Sequence, residues 1–296
     1  MSAIKLGFSD AELFSYGIQA GYTLNEASCL FDQEMQTDCR GLQELISQNP
    51  MHKARVDYLI KCFMNPGIGL KVIGIMGQEF LGFRAALPNT NSKESSYAIL
   101  FSAGDRGLFM EESRDYMKQV LLELSGFLQQ EEKQPISFPM TPIDVLVIIA
   151  ACDLTQNGRH GGGCFTKSAL LSAYNNDNRY HPICSSLTAI AEEVINRFYT
   201  EEKVEEVLKR MVENKLIHSN ELENGTVYCL SPQYSALPAL FESAKMKLSM
   251  LRCYPDGNAN IIFIISNEQE SWAFSLTSNE GIIERLNEKR RMELIG

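Results

Sequence analysis

Apolar and polar positions repeat in the same order along two distant stretches of the chain. In one, Tyr97–Ala103 (Tyr-Ala-Ile-Leu-Phe-Ser-Ala) is followed by a polar Gly-Asp-Arg and then by Gly107–Met110. In the other, Asn260–Ser266 (Asn-Ile-Ile-Phe-Ile-Ile-Ser) is followed by a polar run and then by Trp272–Leu276. Each stretch predicts a strand, a short turn and a second strand, which is the pattern of a hairpin. Helical periodicity follows both, over Glu111–Gln129 and Asn279–Glu293, and the recurrence predicts an internal duplication. The expected fold is α+β, with two pseudo-repeated halves, residues 1–133 and 134–296. Each half is read as helices plus an antiparallel sheet with a closing helix.

In chain order, Ser9-Asp10-Ala11-Glu12 reads as a capping box opening a helix that ends near Gly21. Residues 25–35 and 41–47 predict two further short helices. Pro50 starts another, with Val56, Leu59, Ile60 and Phe63 on one face, stopped by Asn65-Pro66-Gly67. Strands are expected over Leu70–Ile75 and Phe80–Leu87, then a long polar loop over Pro88–Ser95. The polar, proline-bounded Gln129–Pro139 reads as the junction between halves. Thr141-Pro142-Ile143-Asp144 then caps a helix carrying Val145, Leu146, Ile148 and Ile149. Helices are expected over 165–174, 187–197 and 201–215. They are followed by strands flanking Asn224-Gly225, a strong hairpin signal. Three helices and such a hairpin predict a winged-helix-like segment over 141–232, after which the chain returns to strand at Leu248–Cys253.

Charge narrows the functions this scaffold suits. The formal net charge is −10 over 296 residues, and acids exceed bases in both halves. From Thr141 to Pro232 there are 8 basic and 12 acidic residues. A DNA reader needs a cationic helix and wing, because phosphate contacts supply most of its affinity. Here the helix carries Glu201, Glu202, Glu205, Glu206 and Glu213 against Lys203, Lys209, Arg210 and Lys215, and the wing adds Glu221 and Glu223. Nucleic acid is therefore not the expected partner. No apolar run approaches the length of a membrane span, the best being Val145–Ala151, and the N-terminus lacks the apolar core of a secretory signal. The eight cysteines have no paired spacing and read as reduced, buried small hydrophobes in a cytoplasmic protein.

Candidate chemistry is sparse. His160, Cys164, His181 and Cys184 have the types and local spacings of a tetrahedral zinc site, but flexible glycines and Pro182 separate them, and no metal is expected. His160-Gly161-Gly162-Gly163 has the look of an oxyanion loop, without a Gly-x-Ser-x-Gly elbow to serve. No phosphate-cradling glycine motif is present, and no cofactor is expected. Lys289-Arg290-Arg291 reads as a cationic end to the last helix, complementing its dipole. Trp272 and Phe274 share one sheet face and are expected in the core.

The helix ending at Cys62-Phe63-Met64-Asn65-Pro66, the strand at Gly69–Ile75, and the hairpin Tyr97–Met110 with its echo at Ile261–Leu276 together resemble EspG-type chaperones of type VII secretion. The resemblance is one of layout over most of the chain. It implies a cytosolic, non-enzymatic adaptor that holds a helical secreted protein or protein pair until export. The partner-binding surface is then expected around the loop with Asn89, Asn91 and Lys93, joined by Ile282 and Leu286 of the second half's closing helix. The alternative reading is a winged-helix transcription regulator whose other domain senses a ligand or partner.

Overall fold

A computed structural model describes residues 4–6, 10–21, 38–76, 79–88, 96–103, 106–125, 134–156, 162–174, 201–223, 225–254 and 258–295. The fold is α+β with antiparallel sheets. The chain divides into two compact units: Met1–Gly74, Glu79–Leu121 and Met250–Asn260 form the first, and Ile75–Gln78, Leu122–Ser249 and Ile261–Gly296 the second.

The first unit sets helices α1 (Asp10–Gln19), α2 (Arg40–Gln48) and α3 (Pro50–Met64) against strands in the order β1-β5-β4-β3-β2. The strands are β1 (Ile4–Leu6), β2 (Pro66–Met76), β3 (Glu79–Pro88), β4 (Tyr97–Ala103) and β5 (Arg106–Glu112). Helix α3 starts where the sequence says it should. Asn49 Oδ1 accepts from the Met51 amide at 2.9 Å, and Pro50 takes the first position, where a missing N–H costs nothing. Its predicted stripe, Val56, Leu59, Ile60 and Phe63, is fully buried. That stripe packs with Leu13 and Phe14 of α1, Leu42 and Ile46 of α2, and Ala86, Ala98 and Leu100 of the sheet. The first hairpin forms as expected, with Leu100 opposite Phe109 and Tyr97 opposite Glu112. Helix α4 (Arg114–Leu124) begins three residues later than the pattern predicts. Strand β5 runs on to Glu112, and Ser113 then caps the helix by accepting from the Tyr116 amide at 3.2 Å.

The second unit contains a sheet ordered β10-β11-β12-β13-β6. Its strands are β6 (Ile136–Met140), β10 (Met246–Cys253, of which the first four residues belong here), β11 (Ala259–Ser266), β12 (Ser271–Leu276) and β13 (Gly281–Arg285). Helix α5 (Pro142–Gln156) is apolar on all sides from Val145 to Cys152 and is buried from Ile143 to Leu154. Its start is a reciprocal cap: the Asp144 amide reaches Thr141 Oγ1 at 3.4 Å, and the Thr141 amide donates to Asp144 Oδ2 at 3.2 Å. The second hairpin pairs Phe263 with Phe274 and Ile265 with Trp272. Trp272 and Phe274 lie in the core, 4% and 0% exposed. Phe241, Phe263 and Phe274 form a triangle with ring centroids 5.8 to 6.0 Å apart.

Several elements differ from the sequence reading, each for a local reason. The expected closing helix over 279–293 is a turn, a strand and a shorter helix, α9 (Glu288–Ile295). The Thr277–Glu280 turn is closed by the Thr277 amide on the Glu280 carbonyl (2.9 Å), and Ile282 and Ile283 are β-branched residues that suit the strand it starts. Ile282 and Leu286 therefore do not lie on a helix. The second hairpin is followed by another strand, whereas the first is followed directly by α4. The polar junction read over 129–139 contains strand β6, in which Phe138 pairs with Ile283 and Pro139 with Ile282. Strand β7 (Cys164–Thr166) occupies the first residues of the helix expected at 165, and α6 (Lys167–Tyr174) starts after Thr166 Oγ1 accepts from the Ala169 amide. A turn of 3-10 helix at Pro232–Tyr234 and helix α8 (Ala236–Ser243) fill a stretch in which the sequence pattern places no element. The helices expected over 25–35 and 187–197, and the loop residues 89–95 and 157–161, lie outside the described residues.

Lys289-Arg290-Arg291 opens helix α9 instead of ending it, so its cations cannot complement a helix C-terminus. Arg290 instead chelates the buried Glu284 carboxylate, Nε to Oε2 at 2.7 Å and Nη2 to Oε1 at 3.1 Å, and also reaches Glu293. Arg291 is 4% exposed and donates through Nη2 to Ser271 Oγ at 2.7 Å. Ser271 and Ser266 hydroxyls bond at 2.8 Å, and Ser266 donates to the Ser125 carbonyl at 2.9 Å. Burial pushes the Arg291 guanidinium below its usual value, and the Glu288 carboxylate partly opposes this.

At Gly281 strand β13 lies hard against the start of α5. A Cβ there would stand 2.7 Å from Val145 Cγ2 and 2.8 Å from the Thr141 carbonyl oxygen. The backbone at a helix cap cannot yield as a side chain would. Gly281→Ala is expected to lower stability by about 1 to 3 kcal/mol, read as an earlier urea midpoint with an unchanged slope.

Candidate functional site

Within the second unit, a small three-stranded sheet ordered β7-β9-β8 concentrates the surface features of interest. It joins β7 to the hairpin of β8 (Ile217–Leu222) and β9 (Gly225–Leu230). The hairpin forms where the Asn224-Gly225 signal predicts one, with Leu222 opposite Gly225, and Gly225 has φ +118°, a conformation L side chains rarely adopt. Helix α7 (Glu201–Glu213) leads into this hairpin. Its Val204, Val207, Leu208 and Met211 are buried at helical spacing, while Lys203, Glu205, Glu206, Lys209 and Glu213 are exposed.

Strand alternation gives the small sheet two unlike faces. Phe165, Tyr228, Ile217 and Leu230 share the inner one; Phe165 and Ile217 are 0% and 1% exposed, and the rings of Phe165 and Tyr228 stack with centroids 5.9 Å apart. The outer face carries Cys164 opposite Cys229, and Cys229 opposite His218, with Asn220 and Leu222 further along β8. His218 to Leu222 are all exposed, and Leu222 is 60% exposed. At the tip, Thr226 Oγ1 donates to the Glu221 carboxylate at 3.1 Å.

Cys164 and Cys229 are joined by a disulfide spanning 65 residues, and Cys253 is also disulfide-bonded. This corrects the reading of all cysteines as reduced core residues, which holds for the buried Cys39, Cys62 and Cys152. The cause is register. The Leu230 amide donates to the Gly163 carbonyl at 3.1 Å, which makes Cys164 and Cys229 a non-hydrogen-bonded antiparallel pair, the kind whose side chains stand closest. Nothing in the local spacing of either cysteine signals it. Burial pushes the Cys62 thiol up to about 12 and raises Cys152 as well, so neither is a ready nucleophile.

The other expected site residues fall in different places. Asn89, Asn91 and Lys93 lie outside the described residues, as do His160, His181 and Cys184, while Cys164 spends its sulfur on Cys229. Ile282 is half-buried in β13, opposite Ser275 and Pro139, and Leu286 is 4% exposed with its amide on the Ser271 carbonyl. Among the remaining charged groups, burial pushes Lys247 down to about 8, against the pull of the Asp153 carboxylate.

Two contacts fix helix α7 to the rest of the unit. Arg210 Nη2 lies 2.5 Å from Oδ1 of the buried Asp144 and 3.1 Å from Thr141 Oγ1, so one of the helix's three cations is turned inward. Lys167 of α6 pairs with Glu205 at 3.0 Å. The helix ends in a Schellman arrangement: the Leu216 amide bonds the Met211 carbonyl (2.9 Å) and the Lys215 amide the Val212 carbonyl (3.0 Å). Lys215 sits at φ +56°, where glycine would be at ease.

Two outcomes follow. Arg210→Ala is expected to cost about 2 kcal/mol, below the roughly 3 to 5 of a fully enclosed pair, because the Arg210 side chain is 40% exposed and water screens it. Lys215→Gly is expected to stabilise by about 1 kcal/mol by relieving the left-handed backbone. Urea titrations of the two variants beside the parent check both, and a destabilised Lys215→Gly would contradict the capping argument.

Neither a family model nor a curated protein matches this sequence.

Proposed function

We propose that the protein is a non-enzymatic cytosolic adaptor that holds a helical, exported protein, as the resemblance to EspG-type chaperones of type VII secretion implies. The observation that supports this reading most is the exposed outer strand β8. Leu222, 60% exposed, stands among the exposed polar residues Asn220, Glu221 and Glu223. An apolar knob in a polar rim is the anatomy of a protein contact, where one desolvated anchor carries much of the affinity. Among the described side chains of the neighbouring helix α7, Glu205, Glu206, Glu213, Lys203 and Lys209 are turned outward, which suits a protein surface better than a phosphate backbone. Among the described residues no helix is long and apolar enough to cross a membrane. Leu286 is packed inside and Ile282 is half-buried, so Leu222 replaces them as the proposed anchor.

A second reading, a winged-helix regulator, draws on the strand order β7-β9-β8 with helices α5, α6 and α7 around it. The inward commitment of Arg210 removes a cation that such a regulator would want at phosphate.

The two readings separate experimentally. The full chain and its Leu222→Asp variant are used as baits in extracts of the source cells, with bound proteins identified by mass spectrometry. The expected result is one small helical protein retained by the parent and lost by the variant, with no retention of duplex DNA at physiological salt. Retention indifferent to Leu222→Asp would remove the proposed anchor, and sequence-dependent duplex binding would install the regulator in place of the adaptor.

A further inference from the structure

We propose that the Cys164–Cys229 bond is a reversible thiol–disulfide exchange site, at which a low-molecular-weight thiol attacks Cys164 and Cys229 departs beside His218. The inference goes beyond the adaptor reading and stands on the geometry of the three-stranded sheet alone.

The outer face of that sheet aligns three groups on three adjacent strands. Cys164 on β7 is directly opposite Cys229 on β9, and Cys229 is directly opposite His218 on β8. Residues opposed in an antiparallel ladder project to the same face, so the imidazole neighbours one sulfur of the pair and not the other. The bond is also reachable. Both cysteines are partly exposed and His218 is exposed, whereas Cys39, Cys62 and Cys152 are 2%, 0% and 0% exposed. Strand β7 is three residues long and leads directly into α6, so the bond is a covalent tie between a short strand and the hairpin.

The chemistry balances with the thiol as co-reactant. A small-molecule thiolate attacks Sγ of Cys164, the S–S electron pair passes to Sγ of Cys229, and a mixed disulfide forms on Cys164. His218 stands opposite Cys229, where an imidazole N–H can hydrogen-bond the departing sulfur and supply its proton, which lowers the barrier for that sulfur to leave. A second small-molecule thiolate attacks the outer sulfur of the mixed disulfide and releases Cys164. Two electrons pass to the protein, which gains two thiols, and the small molecule leaves as its own disulfide. The same steps run backwards when that disulfide is in excess.

The test uses the full chain and reduced glutathione as the probe. Free thiols are blocked at timed intervals under native conditions, and each cysteine is quantified by mass spectrometry. Cys164 and Cys229 are expected to become reactive together while Cys39, Cys62 and Cys152 stay protected. His218→Ala, at an exposed position, is expected to slow their appearance by about 3- to 10-fold without moving the urea midpoint. Addition of oxidised glutathione should restore the bond. The proposal is overturned if Cys164 and Cys229 react before any glutathione is added. It is equally overturned if they react only in step with the three buried cysteines, or if His218→Ala leaves the rate unchanged.

Discussion

A helix that is apolar on every side has no surface to offer water, and the second unit is built around that constraint. Val145, Leu146, Val147, Ile148 and Ile149 of α5 are each 2% exposed or less. At about 2 kcal/mol per buried aliphatic side chain, enclosing these five contributes on the order of 10 kcal/mol before conformational entropy is set against it. No polar contact in the unit approaches that figure. The elements around α5 follow from it: β12 and β13 on the sheet side, α8 packed against it, and α6, α7 and β7 completing the enclosure. Gly281 is the cost in sequence freedom, since only a residue without a Cβ lets β13 lie against the start of the helix.

Polar groups inside this unit serve orientation more than stability. Asp144 caps α5 and takes Arg210 from α7, so one carboxylate sets both where a helix begins and where another docks. Glu284 and Arg291 are drawn into the interior by the strand and helix that carry them, and each finds a partner there: Arg290 for one, Ser271 for the other. The Ser271–Ser266–Ser125 chain continues from Arg291, passing hydrogen bonds from β12 to β11 and on to the end of α4. Such chains contribute little net free energy when complete and are expensive to break, which makes them devices for specifying one arrangement.

The small sheet divides its labour by strand alternation. Its inner face of Phe165, Tyr228, Ile217 and Leu230 is held by packing, and its outer face is released for other uses. The disulfide, His218 and Leu222 all belong to that outer face. The proposed anchor and the proposed exchange site thus share one surface, and each can be altered without touching the core that supports it.

Much of the local structure was legible in the residues themselves. Pro50 and Thr141-Pro142 announce helix starts because a ring or side chain removes or satisfies orphan amides within a few residues. The Val56–Phe63 stripe, the two hairpins and the hairpin of β8 and β9 rest on periodicity and φ preference, which are also short-range. The strand at Gly281–Arg285 was less legible, since a short apolar run fits a helix or a strand and only its ladder with β12 and β6 decides. The inward turn of Arg290 and Arg291 was not legible at all, because a basic triplet reads as surface until the fold places carboxylate and hydroxyl partners beside it. The same holds for Cys164 and Cys229. Their residues name a possible chemistry, but only the register of two strands 65 residues apart brings the sulfurs together and puts His218 alongside. The sequence by itself determined what depends on neighbours along the chain, and the tertiary structure decided what depends on neighbours across it.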